Sequence, residues 1–277
     1  MKLALSNLAL PAVDHRALLP RLPALGVKGL EVSVRQTWGC APDEVTGAMV
    51  EDYRRVVAAE GLDIPALFLA PEDMATLGPV EDDDLMEETG ERLLKMAAIC
   101  RDLGAPSLVV GAPRRGRGPD RIAWAKCRDF LGDLLGDLEG LGTTLCFAPM
   151  GPNESDFCAT ARDCYLMSNA LDEDGFGMHL ASAGLTASGE TGHTIFAMVL
   201  GRLEHYHADD PGLAEVGSTG LIDHVDLGHH LAAIDYERWV SVVQRAPDGE
   251  NDPLASVARG VTFVQRHYID VEGHERL

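Results

Sequence analysis

The sequence predicts a single (β/α)8 barrel spanning residues 1–277. Three observations point there. Eight short apolar strands alternate with longer amphipathic segments from end to end. A length of 277 residues is what eight βα units require. The turn after the first strand reads Asn7-Leu-Ala-Leu-Pro11, without the glycine-rich phosphate loop that a doubly wound open sheet usually places there.

In chain order, strands are expected at 2–8, 28–35 (entered through Gly26), 63–69, 107–111, 143–148, 175–180, 202–208 and 239–244. Asp43 can cap a helix to Glu60, with Gly61 as its stop, and 87–103 puts Leu93, Leu94, Ala97 and Ala98 on one stripe before Gly104. Further helices are expected at 120–138, 156–169, 227–231 and 254–268, and the acidic run Glu81-Asp-Asp-Asp84 reads as a solvated helix start. Neither a linker nor a low-complexity tract divides the chain.

Composition excludes several classes of function. A net charge of −21 argues against non-specific binding to nucleic acid or an anionic membrane surface. Apolar runs stay well short of the roughly 18 residues needed to span a bilayer. The N-terminus turns polar too quickly for a signal peptide. Six cysteines without a Cys-x-x-Cys pair read as reduced thiols, which points to the cytoplasm.

The stretch Leu203-Glu-His-Tyr-His-Ala-Asp-Asp-Pro-Gly-Leu213 marks the active end. Side chains alternate along a strand, so His205, His207 and Asp209 share one face before Pro211-Gly212 ends it. Two imidazoles and a carboxylate there suit metal ligation, acid/base work or a buried polar network. His179 falls one layer below Ala181 on the sixth strand, and Glu31 and Asn7 are placed to face inward or reach the mouth. Asp209 and Asp210 either contact substrate hydroxyls or cap a turn. Arg114, Arg115 and Arg117, directly after the fourth strand, form a cationic patch suited to phosphate or carboxylate; the alternative is a solvated loop. Arg35 either joins that patch or makes a surface ion pair. Trp38 is either a sugar-stacking platform or a hydrophobic lid. His224, His229 and His230 read as surface residues.

Gly26-Val-Lys-Gly-Leu-Glu-Val32, Phe176-Gly-Met-His-Leu180, His205-Tyr-His207, Ile222-Asp-His224 and Tyr236-Glu-Arg-Trp-Val-Ser241, in that order, resemble the xylose isomerase-like barrels of the sugar-phosphate isomerase/epimerase superfamily. The resemblance implies a divalent metal held by carboxylates ending the fifth, sixth and eighth strands and by a histidine on the seventh. That metal would polarise a ketose or hydroxy-carbonyl while carboxylates shuttle a proton. Here Ala148, Ala181 and Val243 stand at the three carboxylate positions, Gly184 replaces a further histidine, and only His207 matches. One imidazole does not hold a divalent cation, so neither metal nor other cofactor is expected. A zinc site rebuilt from His179, His205 and His207 is disfavoured by their different depths.

The expected function is a metal-independent isomerase, epimerase or lyase acting on a small polar carbonyl, polyol or sugar-like compound. His207 would be the main acid/base, helped by Asp209, with Glu31 or His179 in support. His205, Arg35, Trp38, Arg114, Arg115 and Asp210 would bind the substrate. The alternatives are a pseudoenzyme that binds a metabolite or supports a partner, and an ordinary metal-dependent member with its strand register shifted. The family often dimerises, which makes a homodimer compatible with the resemblance.

Overall fold

β-branched and leucine-rich runs of three to seven residues form eight parallel strands in the computed structural model, which describes residues 1–13, 15–69, 80–111, 120–246 and 252–271. The strands are β1 (Lys2–Ser6), β2 (Gly29–Glu31), β3 (Ala66–Phe68), β4 (Ser107–Gly111), β5 (Thr144–Ala148), β6 (Phe176–Ala181), β7 (Leu203–Asp209) and β8 (Trp239–Val243). Their order is β2-β1-β8-β7-β6-β5-β4-β3. Bridges Gly29↔Asp63 and Val32↔Leu67 bring β2 against β3 and close the ring. This is the (β/α)8 barrel that the alternation predicts.

Around it run α1 (Val34–Trp38), α2 (Gly47–Ala59), α3 (Asp83–Leu103), α4 (Asp120–Leu138), α5 (Ala161–Leu171), α6 (Ser182–Ser188), α7 (His193–Val199), α8 (His224–Ala233) and α9 (Ala255–Val264). The last runs into a π-turn, Gln265–Ile269. Caps explain the boundaries that differ from expectation. Thr46, not Asp43, accepts the first-turn amide of α2. Asp82 starts α3 inside the acidic run, and Thr160 starts α5. Asp223 caps α8 three residues earlier than expected. β2 stops at Glu31 because Val34 and Arg35 already belong to α1.

The strands bury both faces, as parallel sheets do. Outward leucines and valines such as Leu5, Leu30, Leu67, Leu108 and Val240 join the main core beneath the helices. A smaller cluster of Ala66, Phe68, Val109, Cys146 and Ala148 lies apart from it, on the alternate positions of β3, β4 and β5. Trp239 meets the backbone of Gly29 so closely that a Cβ there would sit 2.7 Å from its ring. Lys2 lies 5.1 Å over the same indole. Among the described residues no helix is long and apolar enough to cross a membrane.

Cys40 is half-buried and the other five thiols are buried. Burial pushes Cys100 and Cys146 up to about 12. A thiol reagent at pH 8 is expected to modify at most one cysteine in the native protein and all six after denaturation. Two or more fast-reacting native thiols would contradict this packing.

Candidate active site

The register places polar side chains of β6, β7 and β8 together in the barrel interior. In a parallel sheet, partnered residues share a face. His179↔His205 and Ala181↔His207 join β6 to β7, and His207↔Ser241 and Asp209↔Val243 join β7 to β8. The β6–β7 register jumps from Met178↔Leu203 to His179↔His205, skipping Glu204. The expected alternation therefore breaks at the start of β7, but His205, His207 and Asp209 still fall together.

Glu31 arrives from the end of β2. The strands between β2 and β7 carry Ala4, Ser6 and Ser241 on this face, and these small side chains leave room for a carboxylate to cross. His207 Nε2–H donates to Glu31 Oε1 at 2.7 Å. His205 Nε2 lies 3.4 Å from the same oxygen and shares a 2.9 Å hydrogen bond with Ser241 Oγ. The His179 ring stands edge-on to His207 with centroids 4.1 Å apart, and Phe68 packs edge-on against His207 at 4.9 Å. Glu31, His179, His205, His207 and Ser241 are all buried. Glu31 Oε2, both ring nitrogens of His179, His205 Nδ1 and Ser6 Oγ find no hydrogen-bond partner among the described residues. So many unpartnered buried polar atoms in one barrel interior are unusual, and the imidazoles and carboxylate that carry most of them pack into one polar cluster.

The electrostatics follow from burial and from these contacts. Burial alone would raise the Glu31 carboxyl, but His207 and His205 outweigh it and hold the group far below the usual carboxylate range. Burial lowers His207 against the opposing pull of Glu31. Burial, then His207 and His205, press His179 well below the ordinary imidazole value, so it is neutral at pH 7. Asp209 is pushed up to about 7 by burial, opposed by the Ala183 N–H it accepts at 3.0 Å.

The other expected site residues lie further out. The Asp210 carboxylate accepts the Gly217 amide and, at 2.6 Å, the Thr219 hydroxyl, with His224 Nε2 3.6 Å away. It latches the loop after β7 instead of facing that cluster. His224, expected at the surface, is buried and bonded through Nδ1 to Tyr268 OH at 2.7 Å. Sequence could not show this, because its partner lies on the far C-terminal turn. Asn7 ties the end of β1 to α1, through Thr37 Oγ1 at 2.7 Å and the Ser33 N–H at 3.0 Å. Trp38 packs edge-on to Tyr53 at 5.7 Å, against the outer core. Arg35 is exposed on α1. Arg114, Arg115 and Arg117 lie outside the described residues. Ser241 was the missed neighbour. Period-two counting along β8, Ser241 to Val243, would have placed it beside His207.

The three mouth positions offer no ligand: Ala148 and Val243 are buried aliphatics and Ala181 carries only a methyl group. The donor atoms of Glu31, His205 and His207, by contrast, all lie within 4.8 Å of one another, the only such group among the described residues. The expectation of no metal weighed only the strand-end positions and a set of three histidines. Glu31 alters it, because its carboxylate spans the two histidine layers. Two imidazoles and one carboxylate are a ligand set that zinc takes with a fourth position open, so these residues fit such an ion.

The sequence matches the xylose isomerase-like TIM barrel family over residues 20–267. The chain belongs to that family. Among solved structures of similar fold are D-psicose 3-epimerase with D-tagatose from Clostridium cellulolyticum H10, L-ribulose 3-epimerase and the IolI protein with a bound zinc atom. The first has a TM-score of 0.81 and 12% identity, covering 96% of this chain and 99% of the epimerase. The second has 0.80 and 18%, covering 96% and 94%. The third has 0.75 and 17%, covering 97% and 99%. No curated protein matches the sequence. At these identities the likeness establishes the barrel, while the chemistry rests on the side chains. Within the xylose isomerase-like frame, this chain carries an aliphatic mouth and a buried glutamate–histidine cluster.

Proposed function

We propose that this protein moves a proton at the carbon beside the carbonyl of a small polyhydroxy compound, as a sugar isomerase or epimerase. The observation that carries the reading is His179. It is a buried imidazole with no hydrogen-bond partner on either nitrogen among the described residues, and its ring centroid stands 4.1 Å from that of His207. A fold rarely leaves such a group unmatched unless a ligand uses it. Glu31 is taken up by His207, so the roles divide. Glu31, His205 and His207 form the side that anchors the substrate oxygen. His179 in the cluster and Asp209 at the rim form the side that gives and takes the proton. The 3-epimerases among the structural neighbours support this class of substrate.

His207 therefore supports the fold as well as the site, because it holds Glu31. Removing its ring strands Glu31 as a buried charge, which typically costs about 3–5 kcal/mol. His207→Ala is expected to lower stability and turnover together, seen as a fall in the denaturant midpoint; an unchanged midpoint would mean that Glu31 does not depend on it.

The test of function is solvent-deuterium incorporation, followed by NMR, over a panel of ketoses and ketose phosphates. Deuterium at the carbon next to the carbonyl, with the epimer or aldose appearing, is the expected result. Saturable binding without exchange for every compound would overturn it and favour a metabolite-binding barrel.

A further inference from the structure

We propose that Glu31, His205 and His207 bind one divalent cation of the zinc class, held between β2 and β7 by residues other than those at the three aliphatic mouth positions. This deepens the functional reading and rests on it only for what the cation would do, not for whether it binds.

Geometry carries the inference. His205 and His207 stand two apart on β7 and so project on one face, and Glu31 crosses from β2 to meet both. Their donor atoms lie within 4.8 Å of one another, with all three residues buried. The cluster also holds buried atoms without a hydrogen-bond partner among the described residues, Glu31 Oε2, His205 Nδ1 and both ring nitrogens of the neighbouring His179.

Charge points the same way. A buried carboxylate needs a compensating positive charge, and the ion-pair partners of Glu31 among the described residues are two buried imidazoles, those of His205 and His207. Neutral imidazoles are what a transition cation takes. The donor set also selects. Magnesium and calcium need mostly oxygen ligands, so one carboxylate with two imidazoles favours zinc or cobalt over either. When bound, such an ion acts as a Lewis acid on a carbonyl or hydroxyl oxygen.

The experiment strips the full-length protein with a chelator, removes the chelator and titrates with cobalt(II), then displaces it with zinc. One equivalent should produce the visible absorption of a low-coordinate nitrogen and oxygen site, which zinc bleaches, and zinc should raise Tm. Glu31→Gln keeps the side-chain size and His205→Ala removes one donor. Each should weaken cobalt binding by more than the roughly 10- to 100-fold that losing an outer partner costs. The exposed His193→Ala serves as the control and should bind as wild type does. Circular dichroism confirms that each variant is folded. Absence of both the cobalt spectrum and the zinc-induced rise in Tm would overturn the site. So would equal affinity in Glu31→Gln and wild type. Turnover in metal-free protein, with no cobalt signal, would sink this inference and leave the proposed reaction standing. A cobalt site with no turnover on any sugar would do the reverse.

Discussion

Gly228→Ala is expected to destabilise the protein by about 3 kcal/mol or more, the upper range for forced overpacking. Gly228 is buried in α8, where that helix crosses the π-turn at Gln265–Ile269. A Cβ there would collide with the His267 carbonyl oxygen and sit 3.0 Å from its carbon and 3.4 Å from Tyr268 Cα. All three are backbone atoms, so no side-chain rotation relieves the contact. Alanine is favoured over glycine inside a helix by only about 1 kcal/mol, so the collision decides the sign. The damage should also reach the site. Tyr268 OH bonds to His224 and to Ser182 Oγ at 3.0 Å, and Ser182 Oγ donates to the His207 carbonyl at 3.2 Å. Urea denaturation reads the loss as a shift in midpoint. A variant as stable as wild type would mean that the two segments do not lie this close.

His179→Leu is expected to move stability and turnover in opposite directions. Leucine is close to histidine in size and has no ring nitrogens to bury unpaired. Each unsatisfied buried polar group typically costs about 1–3 kcal/mol, so the substitution should stabilise the fold by roughly that much. Turnover should fall about 10²- to 10⁴-fold, the usual contribution of one positioned proton-transfer group. The triad of Glu31, His205 and His207 stays intact, so cobalt binding should persist. Denaturation and deuterium exchange on the same preparations make the comparison. Lower stability in the leucine variant would mean that the ring nitrogens are satisfied in the native protein. Unchanged exchange would remove His179 from the reaction. A group kept at the expense of stability is what a functional site leads one to expect.

Local sequence determined a good deal of this protein. Period-two alternation along β7 set His205, His207 and Asp209 on one face, an inference that needs only the geometry of a single strand. The family resemblance put Ala148, Ala181 and Val243 at the mouth. Helix stops at Gly61 and Gly104 were legible because each adopts the left-handed backbone that glycine tolerates. The short helices α6 and α7 were not, being too brief to show a period.

Tertiary structure alone decided how the site is wired. Glu31 and His207 lie 176 residues apart, and their bond depends on barrel closure and on Ala4, Ser6 and Ser241 being small at the same level. His224 looked like a surface imidazole until Tyr268, 44 residues further on, covered it. Asp210, adjacent to Asp209, turned away to hold Gly217 and Thr219. Sequence pattern thus determined which face each side chain takes, because that follows from backbone periodicity. Which partner it meets across the barrel depends on ring closure and on the volumes of intervening residues, and those exist only once the chain has folded.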